Sequence, residues 1–529
     1  MKLLKNLSIF ALWMFLVLAL LSCQNLDVVN QNEPDEQRSL ATPGNVEALI
    51  GGSFLSWWQA VHFSAPSNAL ITTADALSCS WGNWGMQDNS SEPRIAFNNF
   101  LTYRYIEVVE TPWYGLHSAL SAASDGIKAV NGGIQIGTNG KDNPRALAFA
   151  KFVQGLALGY VALIFDKGYI LDESVDVNKD VLQFKDYKEV MAAAITKLEA
   201  AIALCQANTF TLPTTWINGV ALTNTELAQV ANSYIARFRA QVARSAAERG
   251  QVDWAKVIGN IDKGITKDFS AQGDGAQQWW HSVQWYGGQS EGSWHRVDYK
   301  LIGPSDKSTG YQSWLSKPPA DRTEFEIDTD DKRIWNGTRT SGRQNPGKYF
   351  KYERNASPFP SDRGLYHYSR YGWDRYDAFN TSGGLGPMPI FLPAELDLLK
   401  AEGLLWTNGD LNMVATIINK TRVTNGQLTA ASAADGAGSV TDARSGLMTA
   451  GSLWAKLKYE KGVECLGTGS GLEFFDRRGW NELVTGTALH FPVPAKELQV
   501  TNQGIYTFGG GGPGSAPKRS RPSLFERPH

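Results

Sequence analysis

Residues 143–164 read NPRALAFAKFVQGLALGYVALI, and the reading of this stretch decides the fold. Phe149, Phe152, Leu156, Tyr160 and Leu163 recur three or four residues apart, which puts them on one face of a helix. Three more stripes follow. Tyr187, Val190, Met191, Ala194, Leu198, Ala201 and Ile202 form the second. Leu227, Val230, Ala231, Tyr234, Phe238 and Val242 form the third, with Thr223 and Glu226 spaced as a capping box at its start. Trp254, Val257, Ile258, Ile261 and Ile265 form the fourth, with Asp253 placed to cap it. Gly155 and Gly159 lie inside the first helix, where each costs roughly 1 kcal/mol against Ala. Close approach of a neighbouring helix compensates such a cost. Two antiparallel helix pairs are expected over 143–265. Pairs of this kind do not bury their faces alone, so further helices should stack on them.

The chain has 529 residues, 43% hydrophobic and 19% charged, with a net charge of -2. That suffices for a large core and more than one lobe. Near-neutral charge argues against a nucleic-acid partner, which needs a basic face for phosphates. Tryptophan stands out at 18 residues; part of that must be core, and the rest is available for flat stacking surfaces. Cys79, Cys205 and Cys465 show no metal-ligand spacing and read as small core residues.

Outward from the helix pairs, the N-terminus is the most specific signal. Lys2 and Lys5 precede an uncharged run from Ile9 to Leu21, as in a secretory signal, and the run is too short for an ordinary membrane span. Its end, Leu20-Leu21-Ser22-Cys23, resembles a bacterial lipobox, which makes Cys23 the first mature residue and the carrier of lipid. Residues 24–39 are polar and read as a tether. Helical patterns run from Pro43 through Trp57 and Trp58, and from Trp113 to Val130. Between them, Ala74 to Gly85 carries Gly and Asn around Trp81 and Trp84 and reads as an exposed loop.

After the fourth helix the texture changes. Residues 271–390 are rich in Gly, Ser, Trp and Tyr and read as a loop-rich lobe inserted into a helical body. Asp328-Thr329-Asp330-Asp331 lacks the glycine and the bidentate glutamate of an EF-hand loop, so it reads as a solvated acidic turn. Helix returns from Phe391, turns at Asn408-Gly409-Asp410 and ends by Thr424, a 34-residue unit with the length of a tetratricopeptide repeat. Residues 428–451 read as a flexible connector, and Ser452 to Cys465 as another helix. Residues 509–529 read as a disordered tail.

Several pieces together resemble the SusD/RagB lipoproteins. They are the lipobox and tether, the paired helices, Ala401-Glu402-Gly403-Leu404-Leu405 with Asn408-Gly409-Asp410, and Ile417 to Arg422. The nearest likeness lies towards the end: Glu460 and Glu464, then Phe474-Phe475-Asp476-Arg477-Arg478, then His490 to Leu498. Gly462, Gly467-Thr468-Gly469 and Asn502-Gln503-Gly504 depart from the family pattern. The resemblance implies a mainly α fold: a tetratricopeptide-like helical-pair scaffold with a loop-rich inserted lobe, SusD-like. It implies residues 1–22 as signal peptide, 23–42 as lipidated cysteine and tether, 43–270 as the N-terminal helical part, 271–390 as the lobe and 391–508 as the C-terminal helical part. It also implies a lipid-anchored protein on the outer membrane of Bacteroidetes-like bacteria. The partner would be a SusC-like TonB-dependent transporter, and the task capture of a nutrient, most often a glycan, without cofactor, metal or catalysis.

Sugar rings present apolar C–H faces that stack on indole and phenol rings, while amides and charges read their hydroxyls. Asp75, Trp81, Asn83 and Trp84 offer such a set on one loop. The resemblance adds the inserted lobe, where Trp280, Trp285, Tyr286 and Trp294 complete the candidate ligand site. The bland reading of each tryptophan is buried packing. Asp476-Arg477-Arg478 reads as a structural ion pair rather than an acidic-ligand site. Two enzymatic motifs do not appear, His-Glu-x-x-His and the Walker loop, and the Gly-x-Ser-x-Gly spacing of Gly288 to Gly292 follows an aromatic run rather than the strand a nucleophile elbow needs. Two alternatives stay open at this point, a peptide-capturing relative and a lipid-anchored glycoside hydrolase. The latter needs two carboxylates across a cleft, and 52 acidic residues leave that choice unmade. A helical scaffold that binds only proteins leaves the aromatic loops without a role.

Overall fold

Each amphipathic stripe becomes a helix that packs on the next in sequence. The computed structural model describes residues 40, 42–63, 65–79, 82–176, 179–288, 295–337, 343–345, 347–352, 369–444 and 451–510. Six helices build the first part of the body: α1 (Pro43–His62), α2 (Glu107–Asn131), α3 (Asn143–Ile164), α4 (Tyr187–Ala207), α5 (Asn224–Gln241) and α6 (Trp254–Ile261). Consecutive members pack against one another from α1 to α6. The row continues through α7 (Pro393–Trp406) and α8 (Leu411–Arg422), with α9 (Leu453–Glu464) laid against both. The fold is mainly α, as the periodicity predicts. Signal peptide, tether and Cys23 lie outside the described residues, as do residues 511–529 of the tail.

Helix starts follow local chemistry. Thr223 and Glu226 form the expected capping box on α5, and Asp253 accepts from the Lys256 amide to start α6. Asp186 with Glu189 adds a second box on α4, and Asp410 and Ser452 cap α8 and α9. The two helix glycines are explained by packing. A Cβ on Gly155 would stand 2.5 Å from Leu198 of α4, and one on Gly159 would enter the Phe238 ring of α5. Their absence lets α3 lie close to both neighbours. Cys79, Cys205 and Cys465 are buried.

Several segments differ from the sequence reading. The fourth helix ends at Ile261 rather than Ile265, and α2 starts six residues before Trp113. Phe391 belongs to a strand, and the helix after it starts at Pro393. The connector is packed where it is described: Leu428 and Ala431 are buried, and Ser432 forms a capping box with Asp435. Residues 445–450 of that connector lie outside the described residues.

The inserted lobe is closed at its base by a two-stranded antiparallel sheet. Strand β1 (Phe269–Asp274) pairs with β2 (Leu385–Phe391), with Ala271 opposite Met388 and Asp274 opposite Leu385. The expected boundaries, 271 and 390, fall inside these strands. The lobe also has its own core, built from Val297, Tyr299, Trp314, Trp335, Tyr371 and Trp373. That core runs into the body through Tyr459, Val463 and Leu466 of and beyond α9. The lobe therefore carries more packed structure than a loop-rich reading implies.

Buried arginines tie the parts together. Arg237 of α5 donates to both oxygens of Glu395 on α7 at 2.8 and 2.6 Å. Arg249 does the same to Glu402 at 2.8 and 2.9 Å and reaches Asp476 at 3.1 Å. Glu395 and Glu402 stand seven residues apart, two turns along one helix, so both face the arginines. Arg333 of the lobe meets Asp331, Glu460 and Glu464 at 2.7 to 2.8 Å. Asp331 is fully buried, which corrects the solvated acidic turn: only its neighbours Asp328 and Asp330 face solvent, beside Lys307.

Glu402→Gln keeps the shape but strips Arg249 of a full carboxylate in a dry site. We expect it to lower the urea midpoint by the equivalent of about 2 kcal/mol or more. Lys256→Gln, which breaks an exposed pair with Asp253, should change stability by less than about 0.5 kcal/mol. Equal effects from the two substitutions would show that the buried pair is not a structural tie.

Candidate functional site

The chain between α1 and α2 forms one side of the site. It runs through a short helix, Ser67–Thr73, then the two-residue strand Leu77–Ser78 and a tight turn, Asn83–Gly85. The strand pairs with Arg296–Val297 of the lobe, Leu77 opposite Val297. This pairing buries Ala74 to Cys79, so the first half of the expected exposed loop lies inside the molecule. Polar side chains are buried with it.

Asp75 is one of them, and its reading as a ligand-contacting residue is corrected. It is 4% exposed and bonds Arg94 at 2.8 Å and Lys300 at 3.3 Å. Burial acts to raise its pKa, but Arg94 and Lys300 outweigh that and hold it below the ordinary carboxylate value. Lys300 also pairs with Glu92, and Arg322 with Glu92 at 3.1 Å. The cluster pins the loop between α1 and α2 to the lobe. Asp298 lies close by, and burial, then repulsion from Asp75, pushes it up to about 7.

Beyond this anchor the turn carries Asn83 and Trp84, both half-exposed. Trp84 sits at φ +54°, in the left-handed region that bulky residues seldom enter. Such a backbone costs about 1–3 kcal/mol and persists only where its surroundings impose it. Here the next residue, Gly85, packs on Val108 and Tyr103, and Gly82 lies against the Tyr105 hydroxyl. Any Cβ at Gly82 would strike that tyrosine, so the turn is pressed onto the start of α2.

The lobe supplies the facing side. The short helix Ser282–Gly288 presents Tyr286, half-exposed, with its ring centroid 5.5 Å from that of Trp84 at an angle of 48°. Two residues 202 positions apart thus form one aromatic pair at the seam of body and lobe. Trp280 does not join it. It is 5% exposed, packs on Trp285 with centroids 4.1 Å apart and on Phe379, and accepts from the Trp58 indole through its carbonyl. Its role is core packing, a correction to its reading as a surface ring. Trp285 is half-buried between Trp280 and Phe379. Trp81 and Trp294 lie outside the described residues. Sequence reasoning missed Tyr103 and Tyr105, which shape the turn; the signal was the aromatic run Phe100 to Tyr105 before α2.

Asp476, Arg477 and Arg478 are buried on the segment Leu472–Gly479. Asp476 pairs with Lys461 at 2.8 Å, and Arg478 donates to the carbonyls of Leu163, Leu489 and Gln241. The structural ion pair is therefore met at Asp476, while Arg478 is structural through carbonyls instead. Arg477 is buried without a carboxylate at bonding distance among the described residues, and burial depresses it to about 10. Among the described residues, no cluster of His, Cys, Asp and Glu has the form of a metal site.

Comparisons with known proteins bear on the fold. No protein-family model matches the chain, and no curated protein does. Solved structures do match. A SusD superfamily protein from Parabacteroides distasonis superposes with a TM-score of 0.57 at 13% identity, over 87% of this chain and 97% of that one. A SusD homolog from Bacteroides thetaiotaomicron gives 0.56 at 12% identity, over 90% and 99%. A SusD-like carbohydrate binding protein from Bacteroides fragilis gives 0.54 at 12%, over 84% and 87%. The chain has the SusD fold.

Glu473, on the same segment as Arg477, gives a pH prediction. It is 6% exposed and accepts from the Gly467 amide at 2.7 Å, and burial raises it to about 7. A carboxyl raised in the folded state binds its proton more tightly there than in the unfolded chain. Its contribution is present below the unfolded value near 4.5 and is lost as pH rises towards about 7. Glu473→Gln should therefore stabilise the protein by about 1–3 kcal/mol at pH 8 and by little at pH 4.5. Urea titrations at both pH values check this; the opposite order rejects a neutral Glu473.

Proposed function

We propose that this protein is a lipid-anchored, cell-surface binding protein that captures a glycan through Trp84 and Tyr286 and passes it to a TonB-dependent outer-membrane transporter. The observation that carries the proposal is the aromatic pair at the seam, on a SusD fold. Two rings at 5.5 Å and 48° make a bent apolar surface, and Asn83 beside them offers both amide donors and a carbonyl acceptor. That combination suits a sugar, whose two faces alternate C–H patches with hydroxyls. The carbohydrate-binding description of the Bacteroides fragilis structure supports the same ligand class. No bond is made or broken in this reading. The protein holds its ligand in a pre-formed seat, with side chains fixed by packing and the loop pinned through Asp75, so little ordering cost attends binding.

The lipid anchor rests on Leu20-Leu21-Ser22-Cys23. Acylation at Cys23 would hold the protein at the membrane by the polar tether of residues 24–39, leaving the body free to sit over a SusC-like transporter. The transporter does the membrane crossing; this chain supplies recognition.

A glycan array probed with residues 24–529, Cys23 replaced, tests the ligand class. Trp84→Ala should weaken the bound glycan by about 10- to 100-fold with the melting temperature kept. The same glycan should be recovered unchanged after long incubation. Hydrolysis products would overturn the binding reading in favour of a hydrolase, and an intact affinity in Trp84→Ala would remove the aromatic pair from it. In cells, Cys23→Ala should abolish incorporation of labelled palmitate and release the protein from the membrane fraction. Unchanged fractionation would remove the lipid anchor.

A further inference from the structure

A second groove opens where α1, α2 and the turn after β1 meet. It has a volume of about 460 Å³. Three hydroxyls line it, Ser56 of α1 and Thr111 and Ser118 of α2, together with three carboxamide residues, Gln59, Gln277 and Gln278. Phe63, half-exposed, stands at one end. The floor is where α2 touches α1: a Cβ on Gly115 would stand 2.7 Å from Ala60. Among the described residues, none that lines the groove carries a charge. Two other grooves on the body differ in this. One is lined by Glu226, Lys267 and Asp268, the other by Lys188, Arg239, Glu248 and Asp253.

The polar groups of this groove are unspent. Serine and threonine inside a helix commonly return their hydroxyl to the carbonyl of the preceding turn. Ser53 of α1 and Ser124 of α2 do so, at 2.6 and 2.7 Å. Ser56, Thr111 and Ser118 make no such bond among the described residues, and the Gln277 side chain makes none. Gln59 alone is engaged, donating to the Gln278 carbonyl at 3.2 Å, which leaves its own carbonyl oxygen to accept. Gln277 is held at φ +63° on the turn that overhangs the groove. The left-handed region is costly for glutamine, and here it sets an amide at the rim.

The groove and the turn that carries Trp84 both lie against the first turns of α2. Gly85, next to Trp84, packs on Val108, and Thr111 follows three residues later, roughly 5 Å along the α2 axis. Tyr286 lies on the chain that leaves the groove rim at Gln278.

We infer that this groove is a second subsite for a neutral sugar, so that an uncharged oligosaccharide longer than the aromatic pair alone can hold lies across both. The inference rests on the glycan reading above and narrows it. Carboxamides and hydroxyls donate and accept at once, which matches the alternation of sugar hydroxyls. Phe63 offers a ring for a C–H face. An acidic sugar would meet no cation among the described lining residues, and a peptide would meet no charge among them.

The test uses malto-, cello-, xylo- and mannooligosaccharides from disaccharide to octasaccharide, with oligogalacturonides as the acidic comparison, each titrated calorimetrically into the soluble chain. Variants are Gln59→Ala with Gln277→Ala, Ser118→Trp to fill the groove, and Trp84→Ala. One neutral series should bind, the long members more tightly than the short. The glutamine pair and Ser118→Trp should each weaken the long members about tenfold or more and leave the short ones unchanged. Oligogalacturonides should bind less than the neutral chains. Unchanged affinity for every length in the groove variants, with loss in Trp84→Ala, overturns the subsite and leaves the aromatic site standing. Loss in the groove variants with binding kept in Trp84→Ala supports the groove and removes the aromatic pair. Failure of all neutral series to bind the unaltered chain overturns both. A fall in melting temperature for Ser118→Trp moves the decision to the glutamine pair, of which Gln277 is exposed and Gln59 half-exposed.

Discussion

Arg333 enters the body from the inserted lobe and meets three carboxylates in a fully buried site, and much else depends on that contact. A guanidinium taken out of water costs several kcal/mol unless its fork is filled. Asp331 reaches it from two residues away on the same segment, but Glu460 and Glu464 come from α9. The fork is therefore complete only when lobe and C-terminal helices are assembled. Arg237 and Arg249 repeat the device on α7, where Glu395 and Glu402 wait two turns apart. Asp476 then brings in the segment Leu472–Gly479 through Arg249 and Lys461. Such pairs add little net stability against a well-packed apolar core. What they supply is register, because each charge tolerates only one arrangement of its neighbours.

Register matters because the candidate site lies on a seam. Trp84 belongs to the body and Tyr286 to the lobe, and neither makes a surface for a sugar alone. Their separation is set by β1–β2 pairing at the lobe base, by Leu77 opposite Val297, and by the Asp75–Arg94–Lys300 cluster. The backbone strain at Trp84 has the same origin. A left-handed tryptophan is held because Gly82 and Gly85 press the turn onto Tyr105 and Val108. The neutral groove beside it shares that support through α1 and α2.

A good part of this was legible in the residues. Period and capping predict α3 to α6 to within a few positions, and the two helix glycines announce close packing that Leu198 and Phe238 then explain. Glu402, Glu460, Glu464 and Asp476 carry the family resemblance, and they prove to be the buried partners of Arg249, Arg333 and Lys461. The site was legible only by halves. Trp84 and Tyr286 were both named, yet nothing in the chain tells that they meet while Trp280, six residues from Tyr286, is packed in the core. Asp75 looked like a ligand reader because its partners, Arg94 and Lys300, come from nineteen and 225 residues away.

By itself the sequence determines what is local: the periodicity that makes a mainly α scaffold, the caps that start its helices, and the insertion between the fourth helix and Pro393. Each follows from residues within a turn or two of one another. Only the tertiary structure decides which polar and aromatic groups are spent and which remain. Whether an acid is paired, a tryptophan buried or a serine hydroxyl left open depends on neighbours hundreds of positions distant. A chain read in one dimension gives the type of each side chain but not what stands across from it, and that opposite group decides its role.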